Sequence, residues 1–290
     1  MNVALIGPAS PPDLHVMTFN VRRRLERLAW RSSDRWSVRR PRLAALLRTE
    51  RPTVLGVQEA LPDQASDVLE ALGSSYRYVG HGRQPGPRGE GCPVYYDTEH
   101  LELRDWRQVP LSERPDEPGS TSWGSVFPRI YVRATFRDRA TSAEWVIVNT
   151  HLDAFSPRAR LRGAQALHLL VTTESLPAVV LGDLNAGPSA PPWDALRFDG
   201  RLADAWTIAD TRLTPQWATY GRYREPRPGR RIDGILVTSE LEVSAIGINA
   251  ARFGGGWPSD HLPVQAVLRI PAPAAPVSAP ASAPAPDEEL

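Results

Sequence analysis

Two segments, VIVNTHLD (146–153) and AVVLGDLN (178–185), are the clearest guide to how this chain folds. Each begins with an apolar run rich in β-branched residues, which is typical of a buried strand, and each ends abruptly in polar residues. Further runs of similar character are HVMTFNV, TVLGVQ, RIYVRATF, RIDGILV and HLPVQAVLRI. Strands therefore outnumber helices, and we expect sheets that pack against each other under a cover of helices.

Helical segments are predicted between some of these strands, at 22–49 with a restart at Pro41, at 62–72 and at 157–174. No repeat period is visible in the sequence. The mixture predicts an α/β (α+β) domain in which packed sheets are covered by helices.

The domain boundaries follow from composition. Residues 271–290 read PAPAAPVSAPASAPAPDEEL, which is too poor in large apolar side chains to form a core, so a disordered tail is predicted there. Residues 1–13 contain three prolines and are expected to be a flexible lead-in. The folded unit should therefore span 14–270.

Composition and charge narrow the class of protein. The chain has 290 residues, 41% of them hydrophobic, which excludes a disordered or fibrous protein. Its 34 basic and 33 acidic residues give a net charge of +1, which argues against a strongly basic protein that coats nucleic acid. The single cysteine, Cys92, excludes an internal disulfide and a zinc site built from cysteines. No apolar stretch is long enough for a transmembrane or signal segment, so a cytoplasmic protein is expected.

Polar side chains gather where the apolar strands stop. One aspartate or asparagine after a strand is usually a turn or helix-capping residue. Many such positions together instead favour a shared cleft, because rigid strands present the residues at their ends to a common site. The residues concerned are Asn20, Glu59, His151, Asp153, Asp183, Asn185, Asp233, Asp260 and His261.

Some of these residues have the chemistry of a metal site. Glu59 and Asp260, with help from Asn20, offer the oxygen ligands that Mg²⁺ or Mn²⁺ prefers. Mg²⁺ takes only one or two carboxylates when it also binds a phosphate ester, and this small set is consistent with that use.

The remaining residues suggest proton transfer and charge stabilisation. His261 needs a carboxylate to fix its tautomer, and Asp233 is the candidate partner. Asp183 could align or deprotonate an attacking water, while Asn185 and His151 stabilise charge on phosphoryl oxygens. The reaction that this set predicts is hydrolysis at phosphorus.

The motifs TFNVR, VLGVQE, VNTHLD, LGDLNAG, RIDGI and PSDH, in this order, resemble those of the endonuclease/exonuclease/phosphatase superfamily. This superfamily includes deoxyribonuclease I, exonuclease III-type repair enzymes, neutral sphingomyelinases and inositol polyphosphate 5-phosphatases. The resemblance covers about 16–268. It implies a four-layer αββα sandwich, in which two mostly antiparallel sheets are flanked by helices and the active site lies at one edge of the sheets. It also implies a monomer.

The resemblance carries roles to matching residues. It places Glu59 at the metal as principal ligand, with Asn20 beside it and Asp260 as a further or water-mediated contact. It implies that Asp183 positions the water, that Asn185 orients water or substrate, and that His151 contacts the phosphate. The His261–Asp233 pair is then a base or an electrostatic stabiliser.

Three further residues are candidates for contacting the substrate phosphate, namely Arg22, Arg129 and Asp153. Arg22 and Arg129 match positions at which bacterial relatives carry arginine, and ordinary salt bridges are the alternative. Asp153 supports either His151 or the phosphate.

The sequence leaves three functions open. The first is a Mg²⁺- or Mn²⁺-dependent hydrolase of a small or lipid-like phosphomonoester or phosphodiester. The second is a nuclease acting on DNA or RNA, which the arginine-rich stretches at 21–40 and 221–231 suggest but which is not favoured. The third is a non-catalytic protein that binds a phosphate ligand. A serine hydrolase is disfavoured because the chain has no G-x-S-x-G motif.

Overall fold

The structure, a computed structural model, describes residues 3–25 and 31–270. The predicted tail at 271–290 lies outside the described residues, as do residues 1–2 of the predicted lead-in and 26–30 of the first predicted helix.

The described residues form fifteen strands and five α-helices. The strands are β1 (Asp13–Asn20), β2 (Val54–Gln58), β3 (Tyr76–Val79), β4 (Gly82–Gln84), β5 (Arg88–Gly91), β6 (Val94–Asp97), β7 (Leu101–Pro110), β8 (Ile130–Asp138), β9 (Glu144–His151), β10 (Ala178–Asp183), β11 (Leu202–Asp204), β12 (Thr211–Arg212), β13 (Asp233–Thr238), β14 (Glu242–Ile248) and β15 (Val264–Arg269). The helices are α1 (Trp36–Glu50), α2 (Pro62–Leu72), α3 (Pro157–Thr172), α4 (Pro191–Leu196) and α5 (Ala205–Ile208).

Two large sheets make up the centre of the fold. One has the strand order β12-β14-β15-β1-β2-β6-β3, and the other has the order β11-β13-β10-β9-β8-β7. Most neighbouring strands are antiparallel, but β1–β2, β9–β10 and β12–β14 are parallel pairs. One apolar core lies between the sheets, a second lies under α1 and α2, and a third lies under α3 and α4. The predicted four-layer sandwich is therefore confirmed.

The central strands are buried on both faces, which explains their nearly continuous apolar sequences. In β10, Val179 and Leu181 face the core between the sheets, whereas Val180 faces the helices on the other side. Successive side chains point to opposite faces, so a strand covered on both sides favours apolar residues at successive positions.

The predicted helix at 22–49 is wrong at its start and in its restart at Pro41. Helix α1 begins only at Trp36, after a short 3-10 turn, and it continues through Pro41. The backbone before it cannot be helical at Arg22, whose φ is +57°, because the chain there is bonded to the side chains of Asn20 and Glu59. Helices α2 and α3 match the predicted segments closely.

A buried polar bridge joins the two sheets. The Asn149 amide on β9 donates to the carbonyl oxygens of Val57, Cys92 and Pro93, and its oxygen accepts from Gln58 Nε2 at 2.7 Å. Buried amides must be satisfied in this way, so the bridge fixes how β9 and β2 lie against each other.

The described part of the predicted lead-in is attached to the domain. Backbone N–H groups of Leu5, Ile6 and Gly7 donate to the buried carboxylate of Glu50 at the end of α1. Within 3–25 and 31–270 no helix combines the length and apolar character that crossing a membrane requires.

Candidate active site

The predicted polar positions converge at one edge of the two sheets. The parallel strands β1, β2, β9 and β10 all end there, and the antiparallel strand β13 begins there. Asp183 pairs directly with His151 on one side and with Asp233 on the other. Residues distant in sequence are thus neighbours because of strand register.

A cavity of about 400 Å³ opens at this edge. Eight of the predicted site residues line it, namely Arg22, Glu59, Arg129, His151, Asp183, Asn185, Asp260 and His261. The other three lie behind this lining, where Asn20 and Asp233 contact residues of the first group and Asp153 contacts Arg129.

Glu59 is held in place as an anion. Its carboxylate accepts hydrogen bonds from the Arg23 backbone N–H and from Asn20 Nδ2, both at 3.0 Å. Burial would raise the pKa of Glu59, but these hydrogen bonds and the nearby His261 and Arg22 lower it below its ordinary value.

Asp183 lies at the centre of the site. Its Oδ2 accepts from Asn20 Nδ2 at 3.0 Å and lies 3.6 Å from His151 Nε2 and 3.8 Å from His261 Nε2. Burial, together with the negative charge of Asp233, raises the pKa of Asp183 to about 7. A carboxyl group with this pKa can both accept and release a proton near neutral pH.

The predicted pairing of His261 with Asp233 is present, with Nδ1 and Oδ2 2.9 Å apart. Burial alone would lower the pKa of His261, but Asp233 and the other nearby carboxylates raise it well above its ordinary value. Asp233 is in turn held by its backbone N–H, which donates to Thr219 Oγ1. His261 is therefore oriented and favours its charged form.

His151 has the opposite electrostatic environment. Burial and the positive charges of Arg129, Arg83 and His261 lower its pKa well below the ordinary value. Two imidazoles therefore flank Asp183, one that favours its charged form and one that favours its neutral form.

Asp153 positions Arg129 and a neighbouring loop. Its carboxylate accepts from Arg129 Nε at 3.3 Å and from the backbone N–H groups of Phe155 and Ser156. Any contribution of Asp153 to phosphate binding would therefore pass through Arg129, whose buried NH1 has no hydrogen-bond partner among the described residues.

The two carboxylates predicted to hold a divalent cation, Glu59 and Asp260, both belong to the wall of the cavity. Glu59 and Asp260 both point into it, and the Arg22 guanidinium lies between them, 4.0 Å from Glu59 Oε2 and 3.7 Å from Asp260 Oδ2. The Asn20 side chain donates from its amide nitrogen to Glu59, while its amide oxygen accepts a hydrogen bond from the backbone N–H of Arg22. Asn20 would therefore offer an oxygen ligand only after its amide turned.

A second group, Asp183, Asp233 and His261, has potential ligand atoms that all lie within 4.8 Å of one another and could also hold an ion. However, His261 Nδ1 already bonds Asp233, and the oxygen preference of Mg²⁺ favours the Glu59 side.

Sequence reasoning missed three charged residues that line the cavity. Arg23 and Arg83 both pair with Glu90, at 3.1 and 2.9 Å, so the Gly- and Pro-rich segment at 80–91 forms one wall. The sequence shows only that Arg83 lies in a glycine- and proline-rich segment, and this does not indicate a position in the cavity unless the fold is known.

A buried arginine that sequence reasoning also missed, Arg39, holds the loop that brings Arg22 and Arg23 to the cavity. Its guanidinium donates to the carbonyl oxygens of Val21, Arg22 and Arg23 at 2.6, 3.0 and 3.2 Å. Because these acceptors are backbone atoms, no side-chain pattern in the sequence could reveal them.

Unusual backbone conformations occur at the site. Arg22, Glu59 and Asn185 all have positive φ, of 57°, 63° and 50°, which non-glycine residues adopt rarely. The glycine of the GDLN motif is required by close packing, since a Cβ on Gly182 would lie 2.0 Å from the Thr150 carbonyl oxygen.

Comparison with known proteins gives a consistent result. The model of the endonuclease/exonuclease/phosphatase family matches residues 17–261. A family member of known structure from Bacteroides thetaiotaomicron is 28% identical, with a TM-score of 0.83, and the alignment covers 91% of this chain and 100% of that one. A mannosyl-6-phosphatase from the same organism is 29% identical, with a TM-score of 0.80, over 88% of this chain and 99% of that one.

A curated relative, Protein angel of Drosophila melanogaster, is 27% identical over 169 residues. The alignment covers 56% of this chain and 47% of that protein, so this chain matches about half of its relative's length.

Proposed function

The chain belongs to the endonuclease/exonuclease/phosphatase family, and we propose that it is a Mg²⁺- or Mn²⁺-dependent phosphoesterase that acts on a small-molecule or lipid-like phosphoester. The observation that carries this proposal is the position of Asp183, whose carboxylate lies between His151 and His261 in a cavity that Glu59 also lines. A structural neighbour named as a mannosyl-6-phosphatase supports a small phosphomonoester.

Different residues of the site have different roles in the proposed hydrolysis. Glu59 and Asp260 would hold the cation, which when bound supplies positive charge next to the phosphoryl oxygens. Asp183 accepts a proton from the attacking water as the water oxygen forms its bond to phosphorus and the P–O bond to the leaving group breaks. Asn185, through its backbone hydrogen bond to Asp183 Oδ1 at 2.9 Å, keeps that carboxylate aligned.

Charge on the phosphoryl group is stabilised from several directions. His261, kept charged by Asp233, and the guanidinium of Arg129 offer positive charge, and neutral His151 offers an N–H donor. These groups are buried and already oriented, so they require little rearrangement as charge develops on the phosphoryl oxygens.

The nuclease alternative is supported less well. The arginine-rich stretches suggested a nuclease, but several of these arginines are buried or form ion pairs with carboxylates of the same chain. Arg39 and Arg231 are buried, and Arg231 pairs with Asp204. Arg40 pairs with Asp67 and Glu70.

A cytoplasmic location and a monomeric state remain predictions.

A phosphoester panel tests the proposal. Purified protein should hydrolyse at least one phosphomonoester or phosphodiester when Mg²⁺ or Mn²⁺ is present, and EDTA should abolish the hydrolysis. Asp183→Asn should reduce kcat by about 10²-fold or more. Asp194→Asn, a change of the same kind at an exposed position on α4, is the matched control. Turnover that survives both EDTA and Asp183→Asn would reject the proposal.

A further inference from the structure

A second cavity of about 430 Å³ adjoins the first. Asn185 belongs to the walls of both cavities. The rest of the second lining comes from the start of α3, from the residues that follow the GDLN motif, and from Arg230 on the loop before β13. A molecule bound at Asp183 that extends past Asn185 would therefore enter this second space.

The charge of the two cavities differs. The first is lined by four arginines and four carboxylates. The second is lined by three arginines, Arg158, Arg160 and Arg230, and none of its lining residues is acidic. Among the described residues, Arg158 and Arg230 have no carboxylate partner within ion-pair distance. Uncompensated positive charge in a concave space attracts anions.

Two of the three arginines are held by the catalytic scaffold. Arg160 NH1 donates to the backbone carbonyl of Asp153 at 2.6 Å. The side chain of Arg230 lies against Gly187, so closely that a Cβ there would be 3.2 Å from Arg230 Cδ. The Arg230 carbonyl also accepts from the N–H of Thr219, the residue whose hydroxyl holds Asp233.

We propose that the second cavity binds a second phosphate group of the substrate, so that the natural substrate is an organic bisphosphate. This inference rests on the proposed function, since it assumes that the scissile phosphate binds at Asp183. The second phosphate would be bound by Arg158, Arg160 and Arg230, whose planar guanidinium groups match phosphate oxygens. The part of the substrate that joins the two phosphates would cross Asn185.

Paired synthetic substrates test this proposal. A series of α,ω-alkanediol bisphosphates, from ethylene to hexamethylene, is compared with alkyl monophosphates of equal length. We expect the ratio of kcat/KM, bisphosphate over monophosphate, to rise at least tenfold at one linker length. Arg158→Ala and Arg230→Ala should each reduce this ratio by about tenfold, which corresponds to about 1.4 kcal/mol. Arg162→Ala, an exposed arginine on α3 outside the second cavity, should leave the ratio unchanged.

A nucleic-acid backbone could also supply the second phosphate, so the series includes a dinucleotide and a mononucleotide that carry the same terminal phosphate. A preference that depends on Arg158 and Arg230 but appears only with the dinucleotide would identify the second phosphate as a backbone phosphodiester. Ratios near one throughout, or a preference that neither variant reduces, would overturn the proposal.

Calorimetric titration of hexanediol bisphosphate separates this inference from the proposed function. If no phosphoester is hydrolysed, the proposed function fails. Binding that Arg158→Ala and Arg230→Ala weaken about tenfold would still uphold an anion site in the second cavity, whereas absent or unaltered binding would refute it.

Discussion

Replacing Arg39 by methionine should damage both stability and catalysis. Arg39 is fully buried and donates to the carbonyl oxygens of Asp34, Val21, Arg22, Arg23 and Pro258. Methionine fills much of the same volume but donates no hydrogen bond, so the change removes the donors and leaves the packing largely intact.

The magnitude follows from which acceptors are buried. The hydrogen bonds of Arg39 to the Val21 and Pro258 carbonyls are buried, whereas the other acceptors are partly accessible to water. An unsatisfied buried acceptor costs about 1–3 kcal/mol, so two such acceptors predict a loss of about 2–6 kcal/mol in the free energy of unfolding. Without these hydrogen bonds the loop would also no longer hold Arg22 and Arg23 in place at the cavity. A displacement of site groups by about 1 Å can lower the rate about 10²-fold.

Urea unfolding followed by tryptophan fluorescence measures the first effect, and kcat/KM on the substrate found by the panel measures the second. Arg40→Met is the control, because the neighbouring arginine is exposed and its ion pairs should contribute about 1 kcal/mol or less. An Arg39→Met protein with the wild-type unfolding midpoint would refute the stability argument. A destabilised protein with full activity would refute the role of Arg39 in positioning the loop.

Three other changes test the scaffold. Asn149→Leu should lower the free energy of unfolding by about 2–4 kcal/mol in urea titrations, because it removes the amide that joins the sheets and takes one hydrogen bond from each of three buried carbonyls, of which Pro93 keeps its bond to the Val57 N–H; an unchanged midpoint would contradict that role. Gly182→Ala should lower the melting temperature sharply, since its Cβ would collide with the Thr150 carbonyl oxygen. A melting temperature equal to that of wild type would show that β9 and β10 can move apart to admit the Cβ, and would contradict the need for glycine here. Burial lowers the pKa of His15, so the unfolded protein binds a proton at this imidazole more readily than the folded protein does. The contribution of neutral His15 to the free energy of unfolding should therefore be complete above the unfolded pKa of about 6.5 and should decline as the pH falls below it. His15→Gln should flatten this part of the stability curve, and an unaltered curve would exclude His15 as its cause.

The sequence predicted the positions of the central strands because they are buried on both faces. Burial on both faces imposes long apolar runs, as in β10, and the polar residue that ends each run marks the edge of the sheet. Parallel neighbours end at the same edge, so His151 and Asp183 could be expected to meet. Strand β7 was not predicted, since it is largely exposed at the end of its sheet and carries charged residues that hide any apolar pattern.

The parts of the site that depend on backbone atoms could not be predicted. Arg39 looked like one more charged residue in an arginine-rich helix, and only the fold brings the carbonyls of 21–23 to it. The late start of α1 has the same origin, because the backbone around Arg22 is bonded to side chains of the site and not to a helical turn. Arg83 lines the cavity because of the path of its hairpin, and no local sequence pattern indicates that path.

The most direct measurement is the dependence of phosphoester turnover on Mn²⁺ concentration for metal-stripped protein and for its Glu59→Gln variant. If Glu59 holds the cation next to Asp183, stripped wild-type protein should be inactive and should recover fully as Mn²⁺ is added. The variant should then need at least about tenfold more Mn²⁺ for half-maximal rate, because it lacks the charge of the principal ligand. Turnover without added metal, or equal Mn²⁺ requirements for the two proteins, would contradict a metal-assisted attack at this site.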